Sequence, residues 1–121
     1  MPSMKKGSWP KPSIESIELL DRHVSHFETE KKKMFGFPCY FIRGNMFAGT
    51  FSNMLFARFS DQDREHLDKE GLGDYFEPVQ GHKMTEYRIL SKRILDDPKA
   101  IDAWLERSYS YVLSLKPKKK T

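Results

Sequence analysis

The chain has a single cysteine, Cys39, in 121 residues. A lone thiol has no partner within the chain, so no disulfide framework supports the fold and a reduced, cytoplasmic setting is expected. No run of about 18 apolar residues occurs, so no membrane-spanning helix is expected. The leading MPSMKKGSWPKPS is basic and proline-broken and lacks the apolar centre of a secretory signal, so none is expected. From Met34 to Phe59 there is no acidic residue, and only Arg43 and Arg58 carry charge. That stretch holds seven of the nine phenylalanines, which makes it the hydrophobic basis of the fold.

A chain of this length fits one domain and buries about 65% of its unfolded surface, enough for one core without staples. The net charge of +4 is unevenly placed. Seven lysines lie at the ends, in residues 1–12 and 116–121, without an acidic neighbour. The 14 basic residues left between Ser13 and Leu115 face 17 acidic ones, so the body carries −3. The expected division is a basic, disordered tail over 1–12, one domain over 13–115 and a second basic tail over 116–121.

Ser13 suits an N-cap, and Ile14, Ile17, Leu20, Val24 and Phe27 recur at helical spacing, predicting an amphipathic first helix with these five in its buried stripe. His23 and His26 lie on it without a third ligand at suitable spacing, so solvated histidines are expected rather than a metal site. The period then changes. Lys31 to Phe35, Cys39 to Ile42, Met46 to Phe51 and Met54 to Phe59 predict four strands of an antiparallel meander, with turns at Gly36 and Pro38, at Arg43-Gly44-Asn45 and at Ser52-Asn53. The third and fourth are apolar or small at nearly every position, so both faces must be covered, by helices on one side and by further structure or a partner on the other. This is the ground for expecting a homodimer, with Phe47, Phe51 and Phe56 as candidate dimer or sheet-face residues.

Ser60 caps a polar helix over Asp61–Glu70, in which Leu67 is the large apolar residue. Its D-x-D-x-E string fails as a calcium loop, because His66 stands where glycine is needed and Leu72 where glutamate is needed. Gly71-Leu72-Gly73 follows a helix and carries no phosphate-loop signal. A loop through Pro78 and Gly81 leads to a last strand, Met84 to Leu90. After a short turn over Ser91–Leu95, Asp97-Pro98 opens a final helix that buries Ile101, Trp104, Leu105, Val112 and Leu115 and stops at Lys116-Pro117.

Certain segments taken in order resemble the TfoX N-terminal domain family. They are ELLDRH on the first helix, Lys33-Met34-Phe35-Gly36, Gly44-Asn45-Met46-Phe47-Ala48, Leu55-Phe56-Ala57-Arg58-Phe59, Met84-Thr85-Glu86-Tyr87-Arg88-Ile89, and Ile94-Leu95-Asp96-Asp97-Pro98-Lys99-Ala100 before Trp104. The resemblance spans roughly residues 17–113. It implies an α+β fold with an antiparallel sheet of five to six strands packed by helices. The implied order is α-β(3-4)-α-β(1-2)-α, similar to the secretion-chaperone-like arrangement. Full-length members of the family regulate competence for DNA uptake, and the second domain of those members is not expected here. The family supplies no catalytic residues to carry over.

Lys32 leaves the first strand, and Arg58 interrupts an otherwise apolar strand. A charge among aromatic neighbours is costly unless its head reaches water or an opposite charge. One reading makes Lys32, Arg58 and Tyr87 a contact for an anion or an acidic partner. The plainer reading lets both side chains reach solvent or pairs Arg58 with Glu86 on a neighbouring strand.

The expected function is a non-catalytic regulatory or protein-interaction module whose expected partners are a second copy and an unidentified protein, with no cofactor, metal or membrane. The alternative is weak, salt-sensitive nucleic-acid binding through the lysine tails. Arg43-Gly44-Asn45-Met46-Phe47 has the basic-glycine start of an RNA-recognition strand, but Asn45 stands where an aromatic is required. Catalysis lacks support: Cys39 sits in an apolar strand, and His66 and His82 have no nucleophile beside them.

Overall fold

A computed structural model describes residues 13–118. The stretches 1–12 and 119–121, which include the first lysine tail and half of the second, lie outside the described residues.

The chain forms α1 (Ile14–Val24), β1 (Glu30–Met34), β2 (Phe37–Ile42), β3 (Asn45–Phe51), β4 (Met54–Arg58), α2 (Asp61–Lys69), β5 (Gly73–Tyr75), β6 (Tyr87–Leu90), α3 (Lys92–Leu95) and α4 (Pro98–Ser114). The six strands make one antiparallel sheet in the order β1-β2-β3-β4-β6-β5. The fold is therefore α+β, as expected, with a sheet of six strands.

The first four strands are joined by three two-residue hairpin loops, and the backbone shows why they close so tightly. Phe35-Gly36 and Arg43-Gly44 both place two successive residues at positive φ (56° and 83°, 51° and 85°). Ser52 does so at the first loop position only, at 58°. These are the loop conformations whose twist matches that of paired strands. At Gly44 a second constraint applies: a Cβ there would stand 2.6 Å from the carbonyl oxygen of Lys118, which packs against the turn.

In the β2–β3 pair Tyr40 lies opposite Ala48 and Phe41 opposite Met46, so Phe47 is an extra residue, a β-bulge. Its consequence is a change of face. Phe47 and Ala48 both join the core with Leu20, Val24, Leu55, Leu105 and Val112, under the helices. Met46 and Phe51 join Phe37, Cys39, Phe56, Phe76 and Tyr87 on the opposite face. There Phe76, carried on the segment between β5 and β6, stacks on Phe56 at 4.1 Å.

The expected strand limits hold to within about two residues for β1 to β4, but Pro38 lies inside β2 rather than ending β1. The last strand is shorter than expected, β6 beginning at Tyr87 because Met84 folds back to donate its N–H to Phe76 O. Gly73–Tyr75, expected as loop, is a strand, and Lys92–Leu95, expected as a turn, is one turn of helix. On α1 the buried side is Ser16, Leu20, His23 and Val24, whereas Ile14 is 71% exposed. The stripe is rotated because α1 packs against α4, where Asp102 claims His23. His23, expected in solvent, is buried, and its Nδ1 donates to Asp102 Oδ1 at 2.6 Å. On α4, Ile101, Leu105 and Val112 are buried as expected, while Trp104 and Leu115 are half-buried. Ser60 and Asp97 cap α2 and α4 through their side chains, accepting from Asp63 N and Lys99 N.

Candidate functional site

Arg58 leaves the sheet at the end of β4, directly opposite Tyr87 on β6. Its Nε donates to Glu86 Oε1 at 2.6 Å, and the Tyr111 hydroxyl on α4 donates to the same oxygen at 3.3 Å. The guanidinium lies 5.7 Å from the Tyr87 ring centre. Burial opposes the charge on Arg58, yet the Glu86 hydrogen bond and the charge of Glu86 outweigh it and hold its pKa above the ordinary value. The Tyr87 hydroxyl donates to Met46 O at 3.0 Å, and burial pushes its pKa up to about 12. Both groups therefore keep their protons near neutral pH.

Lys32 stands elsewhere. It is on β1, separated from β4 by two strands, with Nζ 3.4 Å from Glu30 and 5.2 Å from the Phe41 ring centre. The structure brings Arg58 and Tyr87 together and leaves Lys32 apart. It also places Phe47 under the helices and Phe51 and Phe56 on the other face, all three buried by this chain. They are sheet-face residues without free surface to offer a partner.

The most enclosed ion pair was not visible in the sequence. Arg88 on β6 is 5% exposed and meets Asp68 of α2 through two hydrogen bonds, Nε to Oδ1 at 2.8 Å and Nη2 to Oδ2 at 3.0 Å. Its Nη1 donates to the carbonyl oxygens of Thr85 and Tyr87. The hydrogen bond from Arg88 holds the Asp68 carboxyl below its ordinary pKa against a smaller cost of burial. A helix surface residue and a strand residue twenty positions apart offer no local pattern that would pair them.

Cys39 is buried between strands, where burial pushes its thiol up to about 11. Among the described residues no group of three His, Cys, Asp or Glu side chains is placed to hold a metal ion. No helix of the described residues is long and apolar enough to cross a membrane.

Two surface features were also unseen in the sequence. The first is a cleft of about 630 Å³ beside β5, bounded by Phe51 and Met54 on the β3–β4 hairpin, by Asp74 to Pro78, and by Ile89 to Lys92. Its only sequence trace is the string Gly73-Asp74-Tyr75, too short to announce a strand. The second lies at the β2–β3 turn, where Asn45 Nδ2 donates to Lys116 O and Lys118 N donates to Arg43 O, both at 2.9 Å. Three basic residues are thereby strapped to one corner of the fold.

No curated protein matches the chain. The family model of the TfoX N-terminal domain matches residues 22–111, from the end of α1 to the last turns of α4, and so takes in the whole sheet and both arginine pairs. This chain belongs to the TfoX N-terminal domain family.

Proposed function

We propose that the domain is a regulatory binding module, related in role to the competence regulators of its family, that acts by contact with a protein and not by catalysis. The observation that carries this reading is the closure of the charges set into the sheet. Arg58 is closed by Glu86 and Arg88 by Asp68, so neither guanidinium is presented to a substrate. An activated nucleophile needs a lowered pKa or an adjacent base, and the Cys39 thiol is raised and buried. A reducing, cytoplasmic compartment suits that single thiol.

Self-association belongs to the same reading, but through a different surface from the apolar strands. With Phe47, Phe51 and Phe56 buried in one chain, a homodimer would use the outer helix faces or the sheet edges. Light scattering of the full chain over a concentration series reads this directly.

The corner formed by Arg43, Lys116 and Lys118 favours a second reading, a contact with nucleic acid fixed on the folded body that survives near-physiological salt. Labelled duplex DNA and single-stranded RNA titrated with the full chain at low and near-physiological salt separate the two. The module reading predicts that binding collapses with salt. Binding that persists at the higher salt and is lost in Arg43→Gln, Lys116→Gln, Lys118→Gln would make nucleic acid the partner.

A further inference from the structure

The sheet has two open edges, and they differ in chemistry. Strand β1 places Lys31, Lys32 and Lys33 in succession along its edge, a charge pattern that keeps other strands away. Strand β5 has no lysine, ends on Tyr75, and opens onto the 630 Å³ cleft. That volume falls within the range that accepts a bulky side chain or a small ligand. The cleft is lined by apolar Met54, Phe76 and Ile89 and by polar Asp74, Glu77, Ser91 and Lys92, the last of which is paired with Asp96.

The polar lining is electrostatically unfinished. The Asp74 carboxylate, directly opposite Ile89 across the β5–β6 pair and so on the face of the cleft, has no ion-pair partner among the described residues. Glu77 uses one carboxylate oxygen to accept from Gly81 N at 2.9 Å. Ser91, the N-cap residue of α3, has a buried Oγ without a hydrogen-bond partner among the described residues. Tyr75 is 55% exposed yet held by two cations, Lys83 Nζ at 4.5 Å and Arg88 Cζ at 4.4 Å from its ring centre. An ordered, exposed aromatic beside an apolar recess is the form that binding hot spots take.

We propose that the open edge of β5 and its cleft bind an extended, basic segment of a partner protein, which adds to the sheet as a further strand. Backbone hydrogen bonds to β5 supply the pairing, an apolar side chain enters the recess over Ile89, and a neighbouring lysine or arginine meets Asp74 and Glu77. The carboxylates select the sign of the partner, since an acidic segment would bring like charges together. This inference rests on the binding-module reading and names the class of partner for it.

The test is a random heptapeptide library displayed on phage and panned against the full chain. Enriched peptides are then synthesised and mapped by amide chemical-shift changes. The expected result is enrichment of sequences that combine lysine or arginine with alternating apolar residues, with shifts confined to residues 73–78 and 89–92. Asp74→Lys, at an exposed position, should weaken these peptides at least tenfold with an unchanged melting temperature. Asp74→Asn serves as the second variant if the lysine lowers stability, and Lys33→Glu on the far edge should change nothing. No enrichment over the unselected library, enrichment of acidic peptides, or shifts at Glu30–Met34 would each overturn the proposal. Failure of the module reading shows separately, as salt-resistant nucleic-acid binding in the titration above.

Discussion

Arg58 at the end of β4 and Glu86 in the turn just before β6 meet at 2.6 Å, and the Tyr111 hydroxyl reaches the same carboxylate oxygen from α4. The two ends of this pair are not equivalent. The Arg58 side chain is 21% exposed, whereas that of Glu86 is 37% exposed and also has Tyr111. Removing the cation leaves a carboxylate that water and Tyr111 can satisfy; removing the carboxylate strands a cation among aromatics. Glu86→Ala should therefore cost about 2 kcal/mol and Arg58→Met about 1 kcal/mol or less. Urea midpoints decide the order. A larger loss for Arg58→Met would show that the guanidinium contributes through packing on Tyr87 and not through the pair.

The Asp68–Arg88 pair gives a pH dependence with a definite sign. Because the folded state holds Asp68 below its ordinary value of 3.8, folding favours the charged carboxylate. The stabilisation is complete above that value and is lost as the pH falls through the lower folded-state pKa. Denaturant melts between pH 6 and pH 2.5 should show this loss, and Asp68→Asn should remove its share of the slope while destabilising the protein at neutral pH. An unchanged acid slope in Asp68→Asn would remove this pair from the account of acid stability.

These pairs also show how far the sequence could be read. The Arg58–Glu86 pair was foreseeable because a lone charge in an apolar strand needs a partner, and the segment that brings Glu86 alongside β4 was visible, although the strand itself begins one residue later. Arg88–Asp68 was not, because it depends on where α2 lands on the sheet, a matter of tertiary packing. Strands β2 to β4 were legible from apolar runs broken by turn residues, but the bulge at Phe47 was hidden, since consecutive apolar residues carry no mark of which face each takes. Strand β5 was hidden for the opposite reason: Gly-Asp-Tyr has no pattern, and it is a strand because β6 offers it a partner. Ile14 and His23 exchanged their expected environments because helical spacing gives a stripe's width but not its angle, which Asp102 on α4 decides. The cleft beside β5 combines all three limits, drawing its walls from a hairpin end, a patternless strand and a helix start.

Cys39 should behave as an inert thiol. Its pKa of about 11 leaves little thiolate at pH 8, and the side chain is fully buried. Iodoacetamide at pH 8 should modify the native protein only as fast as the sheet opens, with urea accelerating the reaction far more than it accelerates a free thiol. Modification at the rate of an unprotected thiol in native buffer would mean that the β2–β3 face is open to solvent.

The last prediction concerns the closest contact across β2, β3 and β4. A Cβ on Gly49 would lie 2.6 Å from Cys39 Sγ and 2.8 Å from Phe56 Cζ, both on fully buried side chains. Neither neighbour can easily retreat, since Cys39 is enclosed by the strands and Phe56 is stacked on Phe76. Gly49→Ala should therefore destabilise the fold by about 1–3 kcal/mol, the usual cost of overpacking, despite the better strand propensity of alanine. Replacing Cys39 with alanine removes the nearer obstacle, so Gly49→Ala in a Cys39→Ala background should cost less than in the native chain. The Phe56 contact should keep part of the penalty. A double-mutant cycle from thermal or urea melts measures the difference, and equal costs in the two backgrounds would show that Phe56, and not the thiol, sets the requirement for glycine at position 49.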